Sequence, residues 1–137
     1  FEANLNFACD MAAAQGATVL IEPLNRYDAP GYFLRDADQA AAIIGRLGRA
    51  NLRLMFDCYH LQIMQGDLTR LLTRMAPITG HIQFAGVPDR GPPDRGEVNY
   101  RHIFAHIDGL GWNRPLGAEY KPQGPTGASL GWMETLR

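Results

Sequence analysis

Cysteine is scarce in this chain: Cys9 and Cys58 are the only two among 137 residues. Neither stands in a metal or redox spacing, which excludes a disulfide-stapled scaffold and a thiolate metal centre. Both are expected to be small, buried apolar residues of a protein in a reducing compartment, the cytoplasm. Lysine is scarcer still, with Lys121 alone, and 13 basic residues against 14 acidic ones leave a net charge of -1. That balance lacks the electrostatic footprint of a polyanion binder, so no nucleic-acid partner is expected. Long hydrophobic runs are missing too. None approaches the roughly 20 residues that a bilayer crossing requires, and the start has no charged-then-apolar targeting pattern, so no membrane partner is expected. What remains is the composition of an ordinary globular protein, 46% hydrophobic and 20% charged, which excludes disorder as the main reading. The chain opens on Phe1 rather than Met, already inside a helical pattern, and is expected to be a fragment.

Apolar periodicity gives the organisation. Leu5, Cys9 and Ala12 share one side of a 3.6-residue period, with Gly16 beyond them as a left-handed stop. Thr18 to Glu22 is a short β-branched run closed by Pro23, as expected of a buried strand. Asp36-Ala37-Asp38-Gln39 resembles a capping box for a helix through Ile43, Ile44 and Leu47 that stops near Gly48. Leu52 to Phe56 reads as a strand, Asp67 as the cap of a helix through Met75, and Gly80 to Phe84 as a third strand. Asn99 caps another helix, Pro115 to Glu119 is the fourth strand, and a last helix starts near Leu130. The alternation predicts an α/β fold with four parallel strands and helical crossovers, either an open doubly wound sheet or part of a (β/α)8 barrel.

Each strand ends its apolar run on an oxygen-bearing side chain: Glu22, Asp57, Gln83 and Glu119, separated by 35, 26 and 36 residues. In a parallel sheet, residues one βα unit apart at the same strand end converge. Three carboxylates brought together repel and resist ionising unless a cation neutralises them. An all-oxygen set suits Mg²⁺ or Mn²⁺ better than Zn²⁺. The alternative is that each acid merely caps the helix after it, but four in succession at the face where such barrels carry their chemistry favour a site.

Other polar residues carry weaker signals. His60 follows Asp57 closely enough to reach the same face. His81 alternates with Gln83 on one strand and reads as a satisfied interior histidine. His102 and His106, one helical turn apart without the metalloprotease signature, read as surface residues. Arg26, Arg90, Arg95 and Lys121 lie in loops after strands, where they can meet an anionic substrate. The long Gly- and Pro-rich stretch Ala85 to Val98 is either a functional loop or a surface excursion.

The segments Ile21-Glu22-Pro23-Leu24-Asn25, Pro30-Gly31-Tyr32-Phe33-Leu34, Phe56-Asp57-Cys58-Tyr59-His60, His81-Ile82-Gln83, Gly96-Glu97-Val98-Asn99-Tyr100 and Glu119-Tyr120-Lys121-Pro122, taken together and in order, resemble the hydroxypyruvate isomerase family of xylose-isomerase-like TIM barrels. The resemblance implies that residues 1–137 are the C-terminal half of a (β/α)8 barrel, since a complete one takes about 250 residues. A missing N-terminal half or a homo-oligomeric partner is then needed for stability, because a half-barrel leaves two strand edges open. Carried over by position, the resemblance puts divalent metal ligands on Glu22, Asp57, Gln83 and Glu119, and the paired proton donor and acceptor on Glu22 and Glu119. His60, Arg90 and Lys121 are the residues expected to hold the substrate. The implied activity is metal-dependent isomerisation of a small hydroxy-oxo acid, hydroxypyruvate to tartronate semialdehyde through an enediolate. Gly91 and Pro92 depart from the polar pair that relatives tend to carry, which leaves substrate identity open between hydroxypyruvate, 2-oxo-tetronate and a related sugar isomerase or epimerase substrate. The non-enzyme alternative is an inactive half-barrel acting as an assembly module. An endonuclease of the same barrel type would need more His ligands and a basic face.

Overall fold

The computed structural model describes residues 1–136. In chain order the elements are α1 (Glu2–Ala13), β1 (Val19–Ile21), α2 (Ala37–Leu47), β2 (Leu52–Asp57), α3 (Cys58–Met64), α4 (Leu68–Met75), β3 (Thr79–Phe84), α5 (Tyr100–Gly109), β4 (Leu116–Ala118) and α6 (Trp132–Thr135). The four strands form one parallel sheet in the order β1-β2-β3-β4. Consecutive strands lie side by side with a helix between each pair, the connectivity of a barrel wall rather than of a sheet whose order reverses. Alternation alone allows both architectures, and this strand order agrees with the barrel half that the resemblance implies.

The central strand β2 alternates, and β3 follows it beyond a register shift at Gly80. Leu52, Leu54 and Phe56 of β2 and Ile82 and Phe84 of β3 point outward and are buried under the helices. Arg53, Met55, His81 and Gln83 point the other way and are half-buried. The helices contribute Ala40, Ile43 and Ile44 from α2, Leu68, Leu71, Leu72 and Met75 from α4, and Ile103 and Ile107 from α5, all buried in the same cluster. Cys9 and Cys58 are buried free thiols within it, as their isolation in the sequence implied.

Local signals set the helix ends. Asp36 accepts from the Gln39 N–H at 2.7 Å, and Gln39 reaches back to accept from the Arg35 N–H at 3.0 Å, a reciprocal capping arrangement. Gly48 closes α2 with φ +59 and donates to the Ile44 carbonyl at 3.0 Å. Asn99 caps α5 by accepting from the His102 N–H at 3.2 Å. One expectation is corrected. Asp67 does not cap α4: its backbone is left-handed (φ +47), and its carboxylate turns to Arg70 instead. Periodicity assigns no element directly after β2, where the structure has α3, started by Asp57, whose Oδ1 accepts from the Tyr59 N–H at 2.7 Å. No helix among the described residues is long and apolar enough to cross a membrane.

Candidate metal and substrate site

The C-terminal ends of the strands gather the polar residues. Parallel pairing puts Asp57 of β2 beside Gln83 of β3, and Gln83 beside Gly117 of β4. Glu22 follows β1, and Glu119 follows β4 with its N–H donating to the Phe84 carbonyl at 3.1 Å. Ligand atoms of Glu22, Asp57 and His60 all lie within 4.8 Å of one another. The starting helix α3 explains His60: one turn after Asp57, its ring is carried back over the strand end, with Nε2 at 3.9 Å from Glu22 Oε1 and 4.0 Å from Asp57 Oδ2.

Four atoms at this point are buried without a hydrogen-bond partner among the described residues: Glu22 Oε1, Asp57 Oδ2, His60 Nε2 and Gln83 Oε1. Buried polar atoms are ordinarily satisfied, and several orphans converging on one space mark a place for something that binds them. Three of the four are oxygens, two from carboxylates, so the donor set fits a hard divalent cation. The electrostatics agree. Burial raises the Glu22 carboxyl to about 7, with Asp57 and Glu119 adding to the effect and Arg90 opposing it. Burial also raises Asp57 to about 6, against the N–H donated by Tyr59 and the charge of Arg90. Desolvation, with Arg90 nearby, lowers His60 to about 4, so its ring is neutral.

The long Ala85–Val98 loop is folded back on itself rather than projecting. Gly86 donates to the Gly91 carbonyl at 2.8 Å, and Ala85, Gly86, Val87 and residues 91–93 are buried. At its turn Arg90 holds a left-handed backbone, φ +57, a conformation that non-glycine residues adopt where the surroundings compel it. The guanidinium is thereby aimed inward. It donates to Glu119 Oε2 at 2.7 Å, lies 3.8 Å from Asp57 Oδ2 and from Asp28 Oδ2, and stacks over the Tyr59 ring at 5.1 Å from its centre.

Of the residues singled out in the sequence, Glu22, Asp57 and His60 therefore meet at one point, and Gln83 stands at the strand position paired with Asp57. Glu119 stands at the rim, its side chain 52% exposed and its carboxylate on Arg90. Lys121 is exposed beside it, its N–H donating to the Arg90 carbonyl at 2.7 Å. His81 is half-buried on the inner face one layer below Gln83. His102 is exposed and His106 half-buried on α5, within 3.4 Å of Thr69 and 2.9 Å of Thr73 on α4. The sequence reading missed Asn25, Asp28 and Tyr59. Tyr59 donates to Asp28 Oδ2 at 2.8 Å, Asn25 Nδ2 donates to the same oxygen at 3.0 Å, and the Asn25 N–H donates to His60 Nδ1 at 3.0 Å. The available signal was Asn25, three residues after the strand-end Glu22, in a polar stretch suited to an Asx turn.

The chain is similar to known proteins along its whole length. The family described as xylose isomerase-like TIM barrel matches residues 1–136. A 2-oxo-tetronate isomerase from Cupriavidus necator is 52% identical over 131 residues, covering 96% of this chain and 50% of the relative. Hydroxypyruvate isomerase from Escherichia coli is 42% identical over 134 residues, covering 98% and 52%. A crystal structure from Brucella melitensis described as an AP endonuclease, family 2, superposes with a TM-score of 0.94 at 42% identity, covering 100% of this chain and 53% of that one. The chain thus spans about half the length of the curated relatives it matches.

Proposed function

The chain belongs to the xylose isomerase-like TIM barrel family, and we propose that it is the C-terminal half-barrel of an isomerase that moves a carbonyl between adjacent carbons of a small hydroxy-oxo acid. The observation that carries this reading is the convergence of Glu22 Oε1, Asp57 Oδ2, Gln83 Oε1 and His60 Nε2, all buried and unpartnered, at the strand ends. Glu22, Asp57, Gln83 and Glu119 are the oxygens that hold a divalent cation, Mg²⁺ or Mn²⁺. Once bound, that cation supplies Lewis-acid stabilisation for the negative charge that develops on substrate oxygen.

The remaining steps belong to the side chains. Glu22, buried at the strand end with Oε1 unpartnered, is placed to act as a general acid or base. It takes the carbon-bound proton from one face of the substrate. Glu119 returns a proton to the neighbouring carbon through an enediol, and the roles reverse in the opposite direction. Arg90 and Lys121 hold the substrate's carboxylate, Arg90 by exchanging part of its contact with Glu119 for the substrate. His60 meets a substrate hydroxyl or carbonyl. Hydroxypyruvate, yielding tartronate semialdehyde, is the first substrate to test. The 52% identity to a 2-oxo-tetronate isomerase favours a second reading with one more hydroxymethine carbon. The net charge of -1 and the acidic strand ends argue against a nucleic-acid substrate.

Closure of the barrel belongs to the same proposal. Leu20, Met55 and His81 are only half-buried on the inner face, and Phe7 and Met11 on the outside of α1 are 68% and 60% exposed. Further βα units, from the length the relatives have beyond this match or from a second copy, cover the inner face with their strands and the outside of α1 with a helix. We place the protein in the cytoplasm, where Cys9 and Cys58 stay thiols. The test is an assay of the intact gene product on hydroxypyruvate and 2-oxo-tetronate with and without EDTA. Metal-dependent turnover of either supports the reading, and a folded protein inert on both removes it in favour of an assembly module.

A further inference from the structure

Asn25 and His60 lie 35 residues apart, yet both are buried, at 0% and 1% exposure, and they touch through two contacts. The Asn25 amide is oriented without ambiguity. Its Oδ1 accepts from the Tyr27 and Asp28 N–H groups at 2.9 and 3.0 Å, and a flipped amide would set an NH₂ against those two donors. Nδ2 therefore faces Asp28 Oδ2 at 3.0 Å and His60 Nδ1 at 2.8 Å. The Asn25 backbone N–H points at the same ring nitrogen from 3.0 Å. A nitrogen met by two donors is itself an acceptor, so the single proton of the neutral imidazole sits on Nε2. That Nε2 is buried without a partner, at 3.9 and 4.0 Å from the Glu22 and Asp57 oxygens, too far for hydrogen bonds.

This polarity is the reverse of a metal-ligating histidine, whose far nitrogen donates to a carboxylate or carbonyl so that the near one offers its lone pair. We propose that Asn25 is a positioning residue that holds His60 in its Nε2–H form, making His60 a hydrogen-bond donor to a substrate oxygen and keeping it out of the cation's ligand set. The role fits the chemistry around it. Glu22, Asp57 and Gln83 present only acceptor oxygens toward the space, so an oxygen gaining negative charge there needs a donor, and a neutral N–H provides one. The inference rests on the isomerase reading for what His60 donates to, but not for which nitrogen carries the proton.

The test labels histidine with ¹⁵N and reads the imidazole spectrum of the intact gene product, metal-free and with Mg²⁺, assigning His60 by its loss in His60→Gln. A neutral ring protonated on Nε2 in both states is expected. A proton on Nδ1, a doubly protonated ring, or loss of the Nε2 proton on adding Mg²⁺ overturns the proposal. Calorimetry with Mn²⁺ alone should give affinities within about twofold of the parent for both His60→Ala and His60→Gln. A loss of tenfold or more, the scale on which disturbing a metal's surroundings registers, makes His60 a ligand and overturns it. On hydroxypyruvate, kcat/KM should fall about a hundredfold in His60→Ala, the scale for losing one donor. His60→Gln, which keeps an N–H near the Nε2 position, should recover about tenfold of that loss. Asn25→Asp sets an oxygen against Nδ1 while the backbone N–H still donates there, so the ring should become a mixture of the two tautomers with Mn²⁺ affinity kept. A proton that stays wholly on Nε2 in that variant removes the positioning role of the Asn25 side chain. If Asn25→Asp does not fold, the parent spectrum and the His60 pair decide. If hydroxypyruvate is not turned over while the spectrum and the Mn²⁺ affinities come out as expected, the isomerase reading fails and the assignment of the His60 proton stands.

Discussion

The two faces of the same four strands differ in kind. On the outer face, Leu52, Leu54 and Phe56 are at most 1% exposed, and Ile82 and Phe84 no more than 4%, sealed by helices from this chain. On the inner face, Leu20, Arg53, Met55 and His81 are half-buried, and above them stand carboxylates whose oxygens lack partners. The outer face obeys the ordinary rule that apolar area leaves water and stabilises the fold. The inner face spends stability instead: burial and mutual repulsion raise Glu22 and Asp57 to about 7 and 6. One wall of a barrel thus separates holding the chain together from gathering buried, unpartnered polar atoms at the strand ends.

The largest effect expected from breaking that division is on the inner face. Glu22→Gln keeps the shape and removes the proton-exchanging group, so turnover in the intact gene product should fall about 10²- to 10⁴-fold while the thermal midpoint stays level or rises. Activity like the parent's in a steady-state assay would remove Glu22 from the proton transfer. The next effect is on stability and should split the faces. Phe56→Ala, outward and fully buried, is expected to cost about 3 to 5 kcal/mol in urea unfolding. Its neighbour Met55→Ala, inward and half-buried, should cost under about 2 kcal/mol, below the usual range for a buried methionine. Equal costs would mean that the inner face is as fully packed in solution as the outer.

How far the sequence disclosed each face follows from the same difference. The outer face writes itself as periodicity, because each helix must bury one stripe and each strand one side. Ile43, Ile44, Leu71, Leu72 and Met75 were therefore readable, and so were the caps Asp36 and Asn99. The helix α3 was not, since Cys58 to Met64 is short and its start is set by Asp57, a residue whose other oxygen belongs to the site. Asp67 looked like a cap and is not, because its left-handed backbone points the carboxylate away. At the site, the repeated oxygen-bearing residue at strand ends was visible through the βα spacing. The support beneath it was not: the Asn25–His60 contact joins residues 35 apart through a ring nitrogen and a turn, and no local pattern records such a pairing. Nor does sequence record that Arg90 turns inward, which depends on one left-handed residue within a folded loop.

A pH experiment probes the cost that the inner face carries. The folded-state pKa of Glu22 is raised from 4.5 to about 7, so the folded protein binds that proton more tightly than the unfolded chain does. The associated stability is complete below about pH 4.5 and is lost as the pH climbs through about 7. In the metal-free protein, the advantage of Glu22→Gln over the parent should therefore grow across that interval, by about 2 kcal/mol once partial solvent screening is allowed for. Saturating Mn²⁺ should erase the trend by neutralising the carboxylates. Parallel stability curves for parent and variant between pH 4 and 8 would contradict the burial that the structure gives Glu22.

The smallest effect sharpens the comparison most, because it alters the inner face without touching a charged group. A methyl at Gly117 would lie 2.9 Å from His81 Nε2 and 3.3 Å from Gln83 Cγ. The histidine contact involves the far end of a half-buried side chain, which can swing aside, so Gly117→Ala should change unfolding by less than about 1 kcal/mol. The Gln83 contact is different. Its side chain starts from the strand position paired with Gly117, and a shift of a few tenths of an ångström at Cγ displaces its buried, unpartnered Oε1. A cation held by that oxygen should then bind about tenfold more weakly, the scale on which disturbing a ligand's support registers. Mn²⁺ titration by calorimetry beside a urea melt separates the two effects. Weaker binding at constant stability puts Gln83 at the cation, whereas unchanged binding leaves the site to the three carboxylates.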